Sequence, residues 1–401
     1  MRKVTNGLFM MIRNYIKIWK VNGRSFAGRN RNMLEFLHEK FKRYVLCIFV
    51  LASLLLSSCE KQDPLLTEAD TPEHIVLFYM AANNDLKEDA LESFRKIRQG
   101  YMFDPNCRTL IYLKTETNRS HFLTLQSNSL DTLQTYRNEN LSDPNFLKKV
   151  ISDSRAKYPS KITGLVMWPH AIFWKPKPKI KSFGQDEGVE MDIKNLAASL
   201  PEDLEFLVFD ACTMASIEVL YELKNRFKYM LALPAEILTT SFPCEQSINN
   251  LFSDVEGLKE VADNFITYYR NQTVLCQSAT ISLIQTDHFD SVALETRKLL
   301  LLRLPVYPFN KKKIQQLTFD VSNNVPSYDL ISFLSNNYEY STYSELEKAI
   351  QKAVLFKVNT ALFLGDEITN YCGLSVYLPE LGDPYFDYYS SLRWNSVAPC
   401  F

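Results

Sequence analysis

Two apolar runs in this chain end on residues able to attack a carbonyl and move a proton. Leu204-Glu-Phe-Leu-Val-Phe209 leads into Asp210, Ala211 and Cys212, and Ile162-Thr-Gly-Leu-Val-Met-Trp168 leads into Pro169 and His170. A thiolate is a strong nucleophile and an imidazole titrates near neutral pH, so the pair suits acyl transfer through a thioester. Histidine is scarce beyond residue 58: His74, His121, His170 and His288 are all there are. Among them His170 alone closes a run that reads as a central strand. The bland alternative for Cys212 is a packed thiol, and spacing by itself leaves the two readings level.

Cysteines stand at 47, 59, 107, 212, 244, 276, 372 and 400, with no CxxC spacing. With Cys47 in a leader, Cys59 lipid-modified and Cys212 a nucleophile, an odd, scattered remainder is left. That argues against a disulfide framework or a structural zinc site, and no metal site is expected. No EF-hand-type loop occurs.

The elements that must position the pair alternate. Ile75–Met80 is a continuous apolar run, as in a strand buried on both faces. A helix over about 86–98 follows, with Asn83, Asn84 and Asp85 offering caps. Residues 108–114 read as a strand, and 121–125 with 130–136 as a hairpin. Helices near 144–158, 191–200, 216–225, 258–270 and 289–302 alternate with strands at 162–168, 204–209, 229–233 and 279–285. This spacing predicts an α/β fold: a doubly wound, mostly parallel sheet with helices on both faces. In such sheets ligands sit outside the carboxyl ends of the strands, where both His170 and Cys212 fall. From about residue 305 the pattern loosens into an expected small C-terminal accessory subdomain. It holds a helix near 344–352 and strands near 361–364 and 373–378.

Between His170 and Asp192 lies a long loop with lysines at 175, 177, 179 and 181 and prolines that prevent helix. The first 58 residues carry 11 Lys/Arg and 2 acids, so residues 59–401 have a net charge of -10. No clustered basic surface is left, and nucleic acid is excluded as an expected partner. Lys40, Lys42 and Arg43 precede the 12-residue apolar stretch Val45–Leu56, too short to span a bilayer but suited to a secretory signal. It runs into Leu56-Ser57-Ser58-Cys59, which resembles the lipobox of bacterial lipoproteins, with Cys59 the lipid-modified first mature residue. The expected organisation is a leader and signal over 1–58, with Met33 a second candidate start. A tether over 59–73, an α/β domain over 74–304 and the accessory part over 305–401 follow. The location this implies is the bacterial cell envelope, with the membrane reached through a lipid anchor.

Phe209-Asp-Ala-Cys-Thr-Met-Ala-Ser-Ile-Glu-Val-Leu-Tyr-Glu-Leu223 resembles the nucleophile segment of the clostripain family of cysteine peptidases. The likeness continues through Pro234–Pro243, and Phe78–Leu86 is similar to that family's first strand and turn. Ser182–Asp186, Met191–Ile193 and Gly373–Pro379 are similar to its lipoprotein-type members. The resemblance implies a caspase–hemoglobinase fold and an endopeptidase acting on protein or peptide substrates after Arg or Lys. It makes Cys212 the nucleophile, His170 the proton handler and Asp210 an acid of the specificity pocket. Members of that family can be matured by self-cleavage after a basic residue between the His and Cys segments, for which Lys175, Lys177, Lys179 and Lys181 are placed; a solvated basic loop is the equal alternative. No cofactor is implied; calcium dependence varies in the family, so calcium stays open. One departure stands out: the family's His is followed by Gly, whose N–H cradles the oxyanion, whereas Ala171 follows here. If that backbone needs Gly, catalysis falls by about 10²-fold. The alternative is then an impaired homologue acting as a peptide- or protein-binding lipoprotein.

Overall fold

The computed structural model describes residues 72–83, 86–127, 129–141, 143–159, 162–168, 191–238, 242–301, 311–319, 326–380 and 382–399. The strands are β1 (His74–Ala81), β2 (Cys107–Glu116), β3 (Arg119–Leu125), β4 (Leu130–Arg137), β5 (Ile162–Trp168), β6 (Leu204–Phe209), β7 (Phe227–Ala232), β8 (Thr280–Gln285) and β10 (Val354–Asn359), and they form one sheet. Its order is β10-β8-β7-β6-β5-β1-β2-β3-β4. The five central strands run parallel, and an antiparallel pair closes each edge. The result is a mixed, mostly parallel α/β sheet wrapped by helices. The expected 121–125 and 130–136 hairpin is β3–β4, and the strand expected over 279–285 is β8, which runs antiparallel to β7.

Alternation along each strand divides the core. Ile75, Leu77 and Tyr79 of β1 join the cluster on one face, and Val76, Phe78 and Met80 join that on the other. On the first face lie α2 (Pro144–Lys157), α3 (Ile193–Ser199), α4 (Ile217–Leu223), α7 (Phe289–Leu301) and α9 (Tyr340–Ala353). On the second lie α1 (Lys87–Gly100), α5 (Cys244–Ser247) and α6 (Val255–Arg270). The N-cap of α1 is Leu86, which makes no side-chain cap; Asn84 and Asp85 lie outside the described residues.

The residues beyond 305 are stitched into this core. β10 forms one edge of the sheet, while β9 (Ser327–Asp329) pairs with β13 (Ser375–Tyr377), and β11 (Leu362–Phe363) with β12 (Asp366–Glu367). α8 (Leu330–Asn337), α10 (Phe386–Ser390) and α11 (Arg393–Val397) complete the described α-helices. Among the described residues no helix is long and apolar enough to cross a membrane.

Gly164 of β5 is opposite Phe206 of β6, and a Cβ there would sit 1.9 Å from the Phe206 ring. The ring, 1% exposed, fills the space the glycine leaves. Gly164→Ala is expected to lower unfolding stability by about 1–3 kcal/mol through overpacking. Phe206→Leu in the same chain should recover part of it. Urea unfolding of the single and double variants checks this; additive losses would contradict the contact.

Candidate active site

β5 and β6 are immediate parallel neighbours, with Met167 opposite Phe209. Their pairing continues one residue past β6, where the Asp210 N–H donates to the Met167 carbonyl at 3.1 Å. Cys212 follows two residues later and is half-buried at the carboxyl end of the sheet. His170 is two residues past the end of β5 in sequence, but it lies outside the described residues. So do Ala171, the four lysines of the 175–181 loop, and Cys59. The structure therefore makes neighbours of the two strands that carry the candidate pair.

The turn carrying Cys212 is held by backbone bonds to other segments. Thr213 N–H donates to Ala235 O at 2.8 Å, Ala215 N–H to Leu233 O at 3.0 Å, and Ser375 N–H to Ala215 O at 3.0 Å. Thr213 itself has φ +52°, rare for a β-branched residue and expensive, on the order of 1–3 kcal/mol. Such strain persists only where the surroundings fix it, as the flanking bonds do here. The sharp reversal ends the strand and leaves Cys212 partly open while Ala211, Thr213 and Met214 are buried.

Sequence spacing suggests a helix amino terminus acting on the thiol. The helix, α4, begins only at Ile217, spans seven residues, and its first turn is capped by Ser216, whose Oγ accepts from Val219 N–H at 3.2 Å. The Cys212 sulfur accepts from the Ile237 N–H, at 3.4 Å. This contact comes from the loop after β7 and is the kind a thiolate accepts. A backbone donor leaves no side-chain signature, so Ile237 could not be singled out from its residue type.

Asp210 is 6% exposed. Its Oδ2 accepts from Phe242 N–H at 3.4 Å, while Oδ1 is buried without a partner among the described residues. Burial pushes its carboxyl up to about 7, opposed by the Phe242 bond. The nearby buried Cys244 thiol is also pushed up, first by burial and then by the Asp210 charge. One oxygen of Asp210 thus fixes the loop before α5, and the other is left for a donor. A second acid, Glu236 in the loop after β7, holds structure: both its oxygens accept from Phe319 N–H at 3.1 Å.

Two further acids went unnoticed in sequence because they read as the solvated side of a helix. All seven residues of α4 are buried, including Glu218 and Glu222. Glu218 Oε1 accepts from Tyr377 N–H at 2.9 Å, and burial pushes its carboxyl up to about 8. Glu222 Oε1 accepts from Arg393 N–H. Both tie the C-terminal segments to the helix that follows Cys212. Among the described residues no group of three His, Cys, Asp or Glu side chains could hold a metal ion.

An α/β sheet with a partly open thiol and a buried acid beyond one strand end defines a hydrolase-like thiol site. The chain belongs to the clostripain family, whose model matches residues 78–393. It is a cysteine peptidase, a hydrolase of peptide or protein substrates. A solved structure of an inactive zymogen C11 protease from Parabacteroides distasonis is 26% identical, with a TM-score of 0.71, covering 82% of this chain and 98% of that one. A secreted C11 cysteine protease from Bacteroides thetaiotaomicron in complex with an irreversible peptide inhibitor is 24% identical, with a TM-score of 0.72 over 82% of this chain and 99% of that one. Comparison with curated proteins gives no match.

The buried carboxyl gives a pH signature. Asp210 has a folded pKa raised from 3.8 to about 7, so between these values the folded state holds a proton that the unfolded state has released. Its contribution to stability is therefore full at low pH and lost as pH rises through about 7. Asp210→Asn should be more stable than wild type by a few kcal/mol above pH 7 and differ least near pH 4. Urea midpoints across this range test the sign; a gap that widens toward acid would contradict it.

Proposed function

We propose that the protein is a lipid-anchored endopeptidase of the cell envelope that cuts after Arg or Lys, using Cys212 and His170. The observation that carries this reading is the turn after β6, which leaves Cys212 half-buried two residues from a buried carboxyl whose Oδ1 has no partner among the described residues. The Cys212 sulfur attacks the scissile carbonyl while His170 protonates the leaving amine, so a thioester forms and the amine departs neutral. Water then attacks the thioester, the acid product leaves, and the thiol is restored. The Ala171 N–H is assigned to the developing oxyanion, a backbone role open to any residue whose φ permits it.

Specificity rests on Asp210. A guanidinium or ammonium reaching Oδ1, which has no partner among the described residues, supplies a charge-assisted hydrogen bond. The same cation draws the carboxyl toward ionisation, so binding is linked to loss of the Asp210 proton. For peptides ending in Arg, KM should rise as pH falls below about 7, while Asp210→Asn should lose both the Arg/Lys preference and that pH dependence. Cys212→Ala should abolish turnover of an arginyl fluorogenic peptide. Turnover that survives in Cys212→Ala, or specificity unchanged in Asp210→Asn, would overturn these assignments.

The lysines at 175, 177, 179 and 181 are assigned as self-cleavage points and Cys59 as the lipid attachment site. Both follow from the basic specificity and from the lipobox-like segment before Cys59. Intact mass should show wild type cut within 175–181 and Cys212→Ala whole. Cys59→Ser should shift the protein from the membrane fraction to the soluble one. Uncut wild type would end the first assignment, and unchanged fractionation the second.

A further inference from the structure

Three exposed apolar side chains and a strained hairpin tip lie at the same end of the sheet as Cys212, away from the cysteine itself. Val274 is 72% exposed, Leu275 65% and Leu364 45%. They are joined through Ser278, whose Oγ donates to Leu275 O at 2.9 Å and accepts from Leu364 N–H at 2.8 Å. Leu364 has φ +51° and is followed by Gly365 at +97°, the dihedral signs of a tight hairpin turn. A bulky leucine in that position is an outlier, and a Cβ on Gly365 would meet nothing within 4 Å. The hairpin places Phe363 inward, stacked on Phe319 at 4.4 Å, and holds Leu364 out in the open. Strain spent on exposing a leucine needs a reason outside the fold.

Register places this surface. β8 is antiparallel to β7, with Ser282 opposite Ala232, so β8 begins where β7 ends. β10 is antiparallel to β8, with Asn359 opposite Thr280, so residues 360–367 emerge at that same end. The Cys212 turn reaches it directly: Thr213 bonds Ala235 O, and the Ala235 N–H bonds Thr280 Oγ1 at 3.1 Å. β8 is two strands from β6, a lateral step of roughly 10 Å at ~4.8 Å per strand, or about three residues of extended peptide.

We propose that Val274, Leu275 and Leu364 form an apolar subsite that binds a hydrophobic stretch of the substrate chain about three to five residues from the cleaved bond. The subsite rests on the peptidase reading given above and adds a second element of specificity to it. Its occupant is a peptide rather than a bilayer, for two reasons. The surface is linked to the Cys212 turn through residues 278–280 and Ala235, and the acids Asp366 and Glu367, both exposed beside the hairpin tip, repel anionic headgroups. They suit a substrate that is itself cationic.

The test uses a triple variant, Val274→Ser, Leu275→Ser and Leu364→Ser, against two classes of substrate. One is an arginyl fluorogenic tripeptide; the other is a 12-residue peptide (about 40 Å extended) with the same scissile residue and Leu/Val flanks. The expected result is a roughly tenfold lower kcat/KM on the flanked peptide with the tripeptide rate unchanged. Equal losses on both, or none on either, would overturn the subsite. A second arm separates this from failure of the catalytic assignment. Cys212→Ala, with and without the triple change, is titrated with labelled flanked peptide, and the subsite requires about a tenfold weaker Kd when the triple change is present. Unchanged peptide affinity, or loss only of binding to phosphatidylglycerol vesicles, would assign the surface elsewhere.

Discussion

The site depends on how little freedom the backbone has just after β6. Asp210, Thr213 and Ala215 send their N–H groups to β5, to the loop after β7 and to the end of β7 respectively, and Ser375 closes on Ala215. Four bonds from separate segments hold one short reversal. Thr213 can then sit at positive φ without relaxing, and the strand cannot continue in register past Ala211. Cys212 is left half-buried at the sheet end, while its neighbours on both sides in sequence are buried.

Buried carboxylates supply the second constraint. Asp210, Glu218 and Asp329 all lie in the core, and burial raises each of them toward the neutral form. Each uses backbone N–H groups as partners: Phe242 for Asp210, Tyr377 for Glu218, and Ser332 with Cys372 for Asp329. Pairing acids with N–H donors rather than Lys or Arg avoids the cost of burying a second charge. It also ties loops distant in sequence to the strands that carry chemistry. The C-terminal segments are part of the catalytic scaffold in this sense, since Tyr377 and Arg393 are held by acids of α4.

Much of this was legible before the coordinates. Strand β1 carries the continuous apolar run Ile75–Met80, and β6 is apolar but for Glu205; a run buried on both faces belongs at the centre of a parallel sheet. The adjacency of β5 and β6 followed from two such runs ending on a His and a Cys segment, together with the family likeness. The antiparallel sense of β8 was not legible, because an apolar strand carries no mark of its direction. The Ile237 contact and the αL turn at Thr213 were hidden for a related reason: they are properties of backbone, set by segments far away in sequence. Glu218 and Glu222 were missed because acids at i, i+4 on a short helix normally mark its wet side, and here the C-terminal segments cover it.

The central claim is that Cys212, among all the thiols of the chain, is the one poised for attack. Treatment with an arginyl acyloxymethyl ketone, followed by peptide mapping, addresses it directly. The account predicts a single thioether on Cys212, since Cys107, Cys244 and Cys372 are buried and Cys276 lies off the turn after β6. A label on any of those four, with Cys212 unmodified, would contradict it.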